Sequence, residues 1–154
     1  MSNEKKKVMK RLLFSLACMM MLCANIACAD NEKVVTVSQL PSEAQQFLTR
    51  YFPESKVSLV KVESEFASKT YEVYFANGDH VEFNGKGAWI EIECPQTAIH
   101  TELIPQPILA YVQSTYPDAK VIELKKERKE YEVKLSNRME LTFDKKFKLI
   151  DMDN

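Results

Sequence analysis

The chain has 154 residues, of which 45% are hydrophobic and 28% are charged, and its formal net charge is −1. This length allows one domain or two very small ones. The balance of charges gives no excess of basic residues for nucleic-acid phosphates, and we therefore expect no nucleic-acid partner.

Residues 1–29 have the pattern of a secretory signal peptide. Four lysines and Arg11 precede an uncharged apolar run over residues 12–24, and the small residues Ala27-Cys28-Ala29 follow. The apolar run is too short and wrongly flanked for a membrane span. We therefore expect cleavage before Asp30 and export of the remaining chain, which makes the protein periplasmic or secreted.

Cys28 leaves a second export route open, because a bacterial lipoprotein signal has a Cys directly after the cleavage site. The residue three positions before it is usually Leu, and here it is Asn25. Soluble export is therefore favoured over a lipid anchor at Cys28, and we expect contact with a membrane only if Cys28 is lipidated.

Loss of the leader changes both the charge and the cysteine content. It removes five of the 21 basic residues and one of the 22 acidic residues, which leaves a net charge near −5. Three of the four cysteines lie in the leader, so that Cys94 alone remains. One thiol cannot form an internal disulfide, and the exported fold must therefore be held together by its apolar core.

Two helices are predicted from apolar residues that recur on one face. Leu40-Pro41 and Ile104-Pro105 each precede such a segment, and Pro53 and Pro117 end the two segments. Proline suits the first turn of a helix and disfavours helical conformation in the residue before it. The two segments are 64 residues apart, whereas the strands that follow them are 60 apart, so we infer an internal repeat that is four residues shorter in its second copy.

Alternating apolar and polar residues, separated by turns such as Asn77-Gly78-Asp79, predict four strands after each helix. The predicted strands cover residues 56–63, 71–75, 81–83, 88–93, 120–127, 130–136, 139–143 and 147–152. The predicted fold class is α+β, a tandem repeat of a helix followed by a four-stranded antiparallel meander, with the helices on one sheet face. The predicted units are residues 30–94, a linker over residues 95–103, and residues 104–154, which together form one domain over residues 30–154.

The sheet face opposite the helices is where we expect function, because no further element in the sequence is left to cover it. Residues that alternate with the core aliphatics point to this face. A Trp and a Tyr in polar surroundings have the composition of an interface hot spot, although the Trp could instead pack against its own chain. The candidate binding residues are Trp89, Tyr74, Glu72, Glu82, Glu91 and Glu93.

The order of these motifs resembles the PepSY-like family of exported bacterial proteins, which is similar in fold to the β-lactamase inhibitor proteins. The segments that carry the resemblance are LPSEAQQFLTRYFP, YEVYFANGDHVEFNGKGAWIEIEC, IPQPILAYVQSTYP and YEVKLSNRMELTFDKKFKLIDMD, within residues 38–152. The resemblance implies a non-enzymatic extracytoplasmic domain with an exposed aromatic position, here Trp89. The second copy has Leu149 at that position, which argues against two equivalent binding sites.

An enzyme would need a constellation of reactive groups that this sequence lacks. Cys94, His80 and His100 are scattered and show no zinc-ligand spacing, and neither a calcium loop nor a phosphate-binding glycine loop is present. Cys94 has the parity of the core residues, so we expect a buried and inert thiol, whereas both histidines are expected to be solvated. We expect no catalytic residues, no metal and no cofactor.

These observations predict an exported, non-catalytic binding or inhibitory module. It would recognise a protein or peptide of the cell envelope through the exposed sheet face. The alternative is a structural envelope protein that self-associates through the same sheet. The sequence does not identify the partner.

Overall fold

The computed structural model describes residues 31–154, which form one antiparallel sheet of nine strands and two helices. Each strand pairs with the next strand along the chain. The strands are β1 (Glu32–Val34), β2 (Val57–Glu65), β3 (Ser68–Phe75), β4 (His80–Asn84), β5 (Trp89–Glu93), β6 (Val121–Lys126), β7 (Glu130–Leu135), β8 (Glu140–Asp144) and β9 (Leu149–Asp153). The helices are α1 (Ser42–Tyr51) and α2 (Gln106–Thr115). The predicted leader, its cleavage site and the anchor at Cys28 lie outside the described residues.

The predicted fold class, a tandem repeat of a helix and a four-stranded meander, is wrong. β5 pairs directly with β6, so that the strands form one continuous sheet, and the unpredicted strand β1 extends that sheet at the β2 edge. The helices have only 10 residues each, and the protein is mostly β-structure. Local periodicity predicted β2 to β9 but not β1, and it carried no information about pairing across residues 94–120.

The two helices begin and end close to the prolines that predicted them. α1 follows Pro41, and the backbone N–H of Phe52, just before Pro53, donates to the Leu48 carbonyl at 2.9 Å. α2 follows Pro105 and ends before Pro117 in the same way. Each helix buries two residues of its apolar face against the sheet, and these are Ala44, Leu48, Ile108 and Val112. Within residues 31–154 no helix has both the length and the apolar composition needed to cross a bilayer.

The core is built on a row of aliphatic side chains that runs across the sheet beneath the helices. Ile92 on β5 and Leu124 on β6 are paired at its centre, and both are completely buried. Cross-strand neighbours on one face lie about 5 Å apart, so that each member of the row packs against the next one. In strand order from β2 to β8 the row contains Val60, Val73, Val81, Ile92, Leu124, Val133 and Leu141.

Gly87 allows the start of α1 to approach the β4–β5 turn closely. Its φ is +95°, and a Cβ at this position would lie 2.8 Å from the Cβ of Pro41 and 3.0 Å from the backbone nitrogen of Ala44. Gly78, in the β3–β4 turn, has a similar φ of +91°, but a Cβ there would meet nothing within 4 Å. The two glycines therefore share a backbone conformation and differ in the space around them.

Alanine substitutions at Gly87 and Gly78 test whether α1 packs closely against the β4–β5 turn. We expect Gly87→Ala to lower the free energy of unfolding by about 3 kcal/mol, because backbone strain adds to overpacking against α1. Gly78→Ala should lower it by only about 1–2 kcal/mol, since strain acts there alone. Urea unfolding of both variants measures the difference, and equal losses would contradict the close contact between Gly87 and α1.

Candidate binding face

The face of the sheet opposite the helices, here called the open face, carries mostly charged side chains. Two cross-strand rows of paired residues form it, and α1 and α2 pack against the other face. The first row, from β2 to β9, contains Lys61, Glu72, Glu82, Glu91, Lys125, Glu132, Thr142 and Asp151. The second row contains Leu59, Tyr74, His80, Glu93, Glu123, Lys134, Glu140 and Asp153.

Three glutamates stand side by side in the first row. Glu82 on β4 is paired with Glu72 on β3 and with Glu91 on β5. Like charges directly opposite one another destabilise a sheet. Burial, together with the charges of Glu91 and Glu72, raises the pKa of Glu82 from 4.5 to about 6. Glu82 is therefore still ionised at neutral pH, and its ionisation lowers the stability of the fold.

A second group of carboxylates, here called the carboxylate cluster, spans the β5–β6 junction. It consists of Glu91, Glu93 and Glu123, each of which has an oxygen within 4.8 Å of the others. Burial and the charge of Glu93 raise the pKa of Glu123 to about 6, and burial and the charge of Glu91 raise the pKa of Glu93. The cluster is thus a site of concentrated negative charge that is only partly exposed to solvent.

Two lysines offset part of this charge. Lys125 Nζ lies 3.2 Å from a Glu91 carboxylate oxygen, and Lys134 Nζ lies 4.0 Å from an oxygen of Glu123. Burial disfavours the charged form of Lys125, but the charge and hydrogen bond of Glu91 outweigh it and raise the lysine pKa. The charge of Lys125 lowers the pKa of Glu82 and that of Lys134 lowers the pKa of Glu123, but burial and the neighbouring carboxylates outweigh them.

Tyr74 lies on the open face, as predicted, next to Glu72. Its hydroxyl donates a hydrogen bond to Glu72 Oε2 at 2.6 Å, and its ring stacks on His80 at 4.5 Å between ring centroids. Burial and the bond to Glu72 raise the tyrosine pKa, so the phenol stays protonated as a donor. The His80 side chain is only 15% exposed, which corrects the expectation that it is solvated.

Trp89 does not lie on the open face, and its predicted position beside Tyr74 is wrong. A β-bulge between Glu82 and Phe83 leaves Ile90 as an extra residue, and the Cα of Trp89 is consequently paired with that of buried Phe83. Trp89 packs against the core, and Lys126 Nζ lies 4.0 Å from the centroid of its ring. Packing within the chain, the other interpretation of this residue, agrees with this position.

Glu123, Lys125 and Lys134 belong to the open face but were not among the predicted residues. Glu123 and Lys125 flank buried Leu124 in the strand sequence VIELKK, so that alternation alone places them opposite the core. Periodicity does not predict that Glu123 and Lys125 lie close to Glu91 and Glu93, because that proximity depends on the pairing of β5 with β6.

Cys94 is buried, as predicted, and is the only free cysteine among the described residues. Burial and the nearby charge of Asp79 raise the pKa of its thiol to about 12. The nucleophilic form of cysteine is the thiolate, which is scarce at neutral pH when the pKa is this high. Cys94 is therefore a core residue whose thiol is held in its protonated form at neutral pH.

Comparisons with known proteins agree with an extracytoplasmic domain of this kind. The family model described as "Putative beta-lactamase-inhibitor-like, PepSY-like" matches residues 69–151. No curated protein matches the chain significantly. Neither the family nor the solved relatives indicate a catalytic activity.

Three solved structures similar to this chain come from Bacteroides. One is a "putative calcium-regulated periplasmic protein" of Bacteroides thetaiotaomicron, with 52% identity and a TM-score of 0.79, covering 82% of this chain and 100% of its own. A periplasmic protein of Bacteroides vulgatus from the DUF2874 family has 43% identity and a TM-score of 0.80 over the same shares of the two chains. Another from that species has 32% identity and a TM-score of 0.75, covering 80% of this chain and 99% of its own. The expected periplasmic location is thereby confirmed.

The charge on the open face predicts a pH-dependent stability. The pKa of Glu82 is about 6 in the fold against 4.5 ordinarily, so the folded state binds the extra proton and stability falls as pH rises from about 4.5 to 6. Glu82→Gln removes this penalty. Because solvent screens the half-buried group, we expect a gain of about 1 kcal/mol at pH 7.5 and almost none at pH 4.

Urea unfolding at pH 4 and pH 7.5 measures this gain. Glu54→Gln, at an exposed position in the turn after α1, removes one charge away from the open face and serves as the control. A loss of stability at pH 7.5 in Glu82→Gln, or an equal gain in both variants, would contradict repulsion on the open face.

Proposed function

We propose a binding function for this protein, which belongs to the β-lactamase-inhibitor-like, PepSY-like family: its open face binds a positively charged protein or peptide of the cell envelope, without catalysis. The observation that carries the proposal is the row of paired glutamates on the open face, with the carboxylate cluster beside it. The raised pKa values of Glu82, Glu93 and Glu123 indicate that ionisation of these three groups at neutral pH opposes folding. Such a strained surface is typical of a functional site, where stability is given up for activity.

A cationic partner suits this surface for two physical reasons. Lysine or arginine side chains would approach carboxylates that already repel one another, so binding would relieve that repulsion as well as add attraction. Long-range attraction would also speed association and make it sensitive to salt. Tyr74 would supply an aromatic contact at the side of the charged rows. Glu72, Glu82, Glu91, Glu93 and Glu123 would supply the charge.

Self-association through the open face is less well supported. Two copies would bring acidic rows together, and like charges across an interface are unfavourable. The net charge of the exported chain adds to the repulsion. We therefore propose a partner of different composition, and a monomer that binds the partner, in preference to a structural protein that pairs with its own copy.

The test compares two double variants of equal net charge. Glu82→Gln/Glu123→Gln removes two open-face charges whose loss should stabilise the fold, and Glu54→Gln/Asp118→Asn removes two exposed charges elsewhere. Each variant serves as bait for periplasmic extract, and the affinity of any captured protein is then measured by calorimetry. We expect the open-face variant to bind at least about tenfold more weakly than the control, with binding that weakens as salt rises.

Equal affinity of the two double variants for the captured protein would contradict the proposal. So would a captured partner whose binding surface is acidic. Because the open-face substitutions should raise stability, a weaker complex could not be attributed to unfolding of the bait.

Calcium is a second candidate ligand for the same face. The relative that is 52% identical is described as calcium-regulated, and the carboxylate cluster offers oxygens within 4.8 Å of one another. Calcium takes six to eight oxygen ligands, and three carboxylates with water are a weak but adequate set. We propose that Ca²⁺ occupies the cluster at millimolar concentration and competes there with a cationic partner.

Thermal unfolding with added calcium tests this second candidate. If the dissociation constant lies at about 10⁻⁴–10⁻³ M, as in extracellular calcium modules, 10 mM Ca²⁺ should add about 1.4–2.7 kcal/mol of stability. Glu93→Gln/Glu123→Gln should lose most of that response, whereas Glu54→Gln/Asp118→Asn should keep it. Equal stabilisation by Ca²⁺ of the unsubstituted protein and both double variants would argue against the cluster as a calcium site. So would equal stabilisation by Mg²⁺ at the same concentration.

A further inference from the structure

The hairpin between β2 and β3 ends in an aromatic side chain that packs against no other part of residues 31–154. Strand pairing continues to Glu65 and Ser68, so that only Phe66 and Ala67 form the loop. Phe66 has a relative exposure of 110%, as in an extended chain. Burial of a phenylalanine normally removes about 150–250 Å² from water, and here all of that surface is left in solvent.

The turn itself does not require this phenylalanine. Two-residue hairpin loops favour Asn, Asp and Gly, because these residues adopt left-handed conformations readily. The β3–β4 loop, residues 76–79, has Asn77-Gly78 at its centre, and the β6–β7 loop consists of charged residues, Glu127-Arg128-Lys129. The β2–β3 tip departs from the rule at a point where a large apolar side chain gains no packing energy within residues 31–154.

The acidic surface of the open face continues along this hairpin to its tip. Lys61 is paired with Glu72 on the open face, and Glu63 is paired with Thr70 two residues further along, so Glu63 lies on the same face. Glu65 follows with the same parity, directly before Phe66. Glu32 on β1 is paired with Glu63, and its carboxylate forms an ion pair with Lys61 on the same face. On its open-face side the hairpin therefore leads to Phe66 through Glu63 and Glu65, while Lys69, which is paired with Ser64, has the opposite parity.

We propose that Phe66 is an anchor that inserts into an apolar pocket, rimmed by Lys or Arg, on the same cationic protein that the open face binds. This inference rests on the proposed function and adds the contact that would give the complex its specificity. The carboxylates of Glu63 and Glu65 beside the tip match a basic rim, and they disfavour an anionic membrane surface as the alternative host for the ring. Buried aromatic anchors of this kind carry much of the affinity in protein interfaces.

The contact can be tested by crosslinking from the tip. The photoreactive residue p-benzoylphenylalanine replaces Phe66 in the full chain, and in a matched control it replaces Arg128 at the tip of the β6–β7 hairpin. Both proteins are irradiated with periplasmic extract. We expect a single protein adduct at position 66 and none at position 128. Adducts at both positions, at neither, to lipid, or between two copies of this chain would overturn the proposal.

The crosslinked protein is then purified and its affinity for the unlabelled chain is measured. We expect Phe66→Ser to weaken binding about 30-fold or more and Phe66→Tyr to retain most of it, since an aromatic ring persists. The thermal midpoint should not change in either variant, because the Phe66 side chain packs against nothing within the described residues.

The two proposals fail in different ways. Full affinity of Phe66→Ser, with weak binding by Glu82→Gln/Glu123→Gln, would overturn the anchor and leave the open-face function in place. Weak binding by Phe66→Ser, with full affinity of the open-face double variant, would overturn the open-face function and with it the cationic character assigned to the partner.

Discussion

The pairing of β5 with β6 is the contact on which both faces of this protein depend. Ile92 meets Leu124 on the helix side of the sheet, and the aliphatic row is thereby continuous from β2 to β8. On the opposite side the same pairing brings Glu123 beside Glu93 and Lys125 beside Glu91. One set of backbone hydrogen bonds therefore completes the core and assembles the carboxylate cluster at the same time. A change that weakened this junction would disturb stability and the candidate binding face together.

The two faces of the sheet act in opposite directions on stability. The helix side buries aliphatic and aromatic groups, among them Phe83 and Phe143, whose rings meet Phe47 and Tyr111 edge to face. The open face holds carboxylates whose pKa values are raised first by burial and then by the charges of neighbouring glutamates. A destabilisation of about 1 kcal/mol or less per group is easily offset by a core of this kind, because burying one large aliphatic side chain contributes about 1.5–3 kcal/mol. The core thus allows an acidic surface that a weaker fold would not tolerate.

Trp89 shows how one inserted residue redirects a side chain. Strict alternation along β5 would place Trp89 with Glu91 and Glu93, but the bulge at Ile90 returns it to the core side beside Phe83. A similar irregularity between Thr142 and Phe143 places Leu149 opposite Phe143. A shift of one residue reverses the face of every side chain beyond it. The aromatic group left exposed is instead Phe66, on a hairpin tip that periodicity does not single out.

The sequence by itself determined most local elements: the helix limits set by prolines, strands β2 to β9 with their alternation except at the β5 bulge, the burial of Cys94, and the family to which the chain belongs. It also placed Tyr74 and Glu82 on the uncovered face, because strand parity is a property of neighbouring residues. Only the tertiary structure decided that the strands form one sheet, that Glu123 joins Glu91 and Glu93, and that Trp89 faces the core. These features depend on which strands pair and where a bulge falls, and both follow from contacts between residues distant in the chain, which local periodicity does not encode.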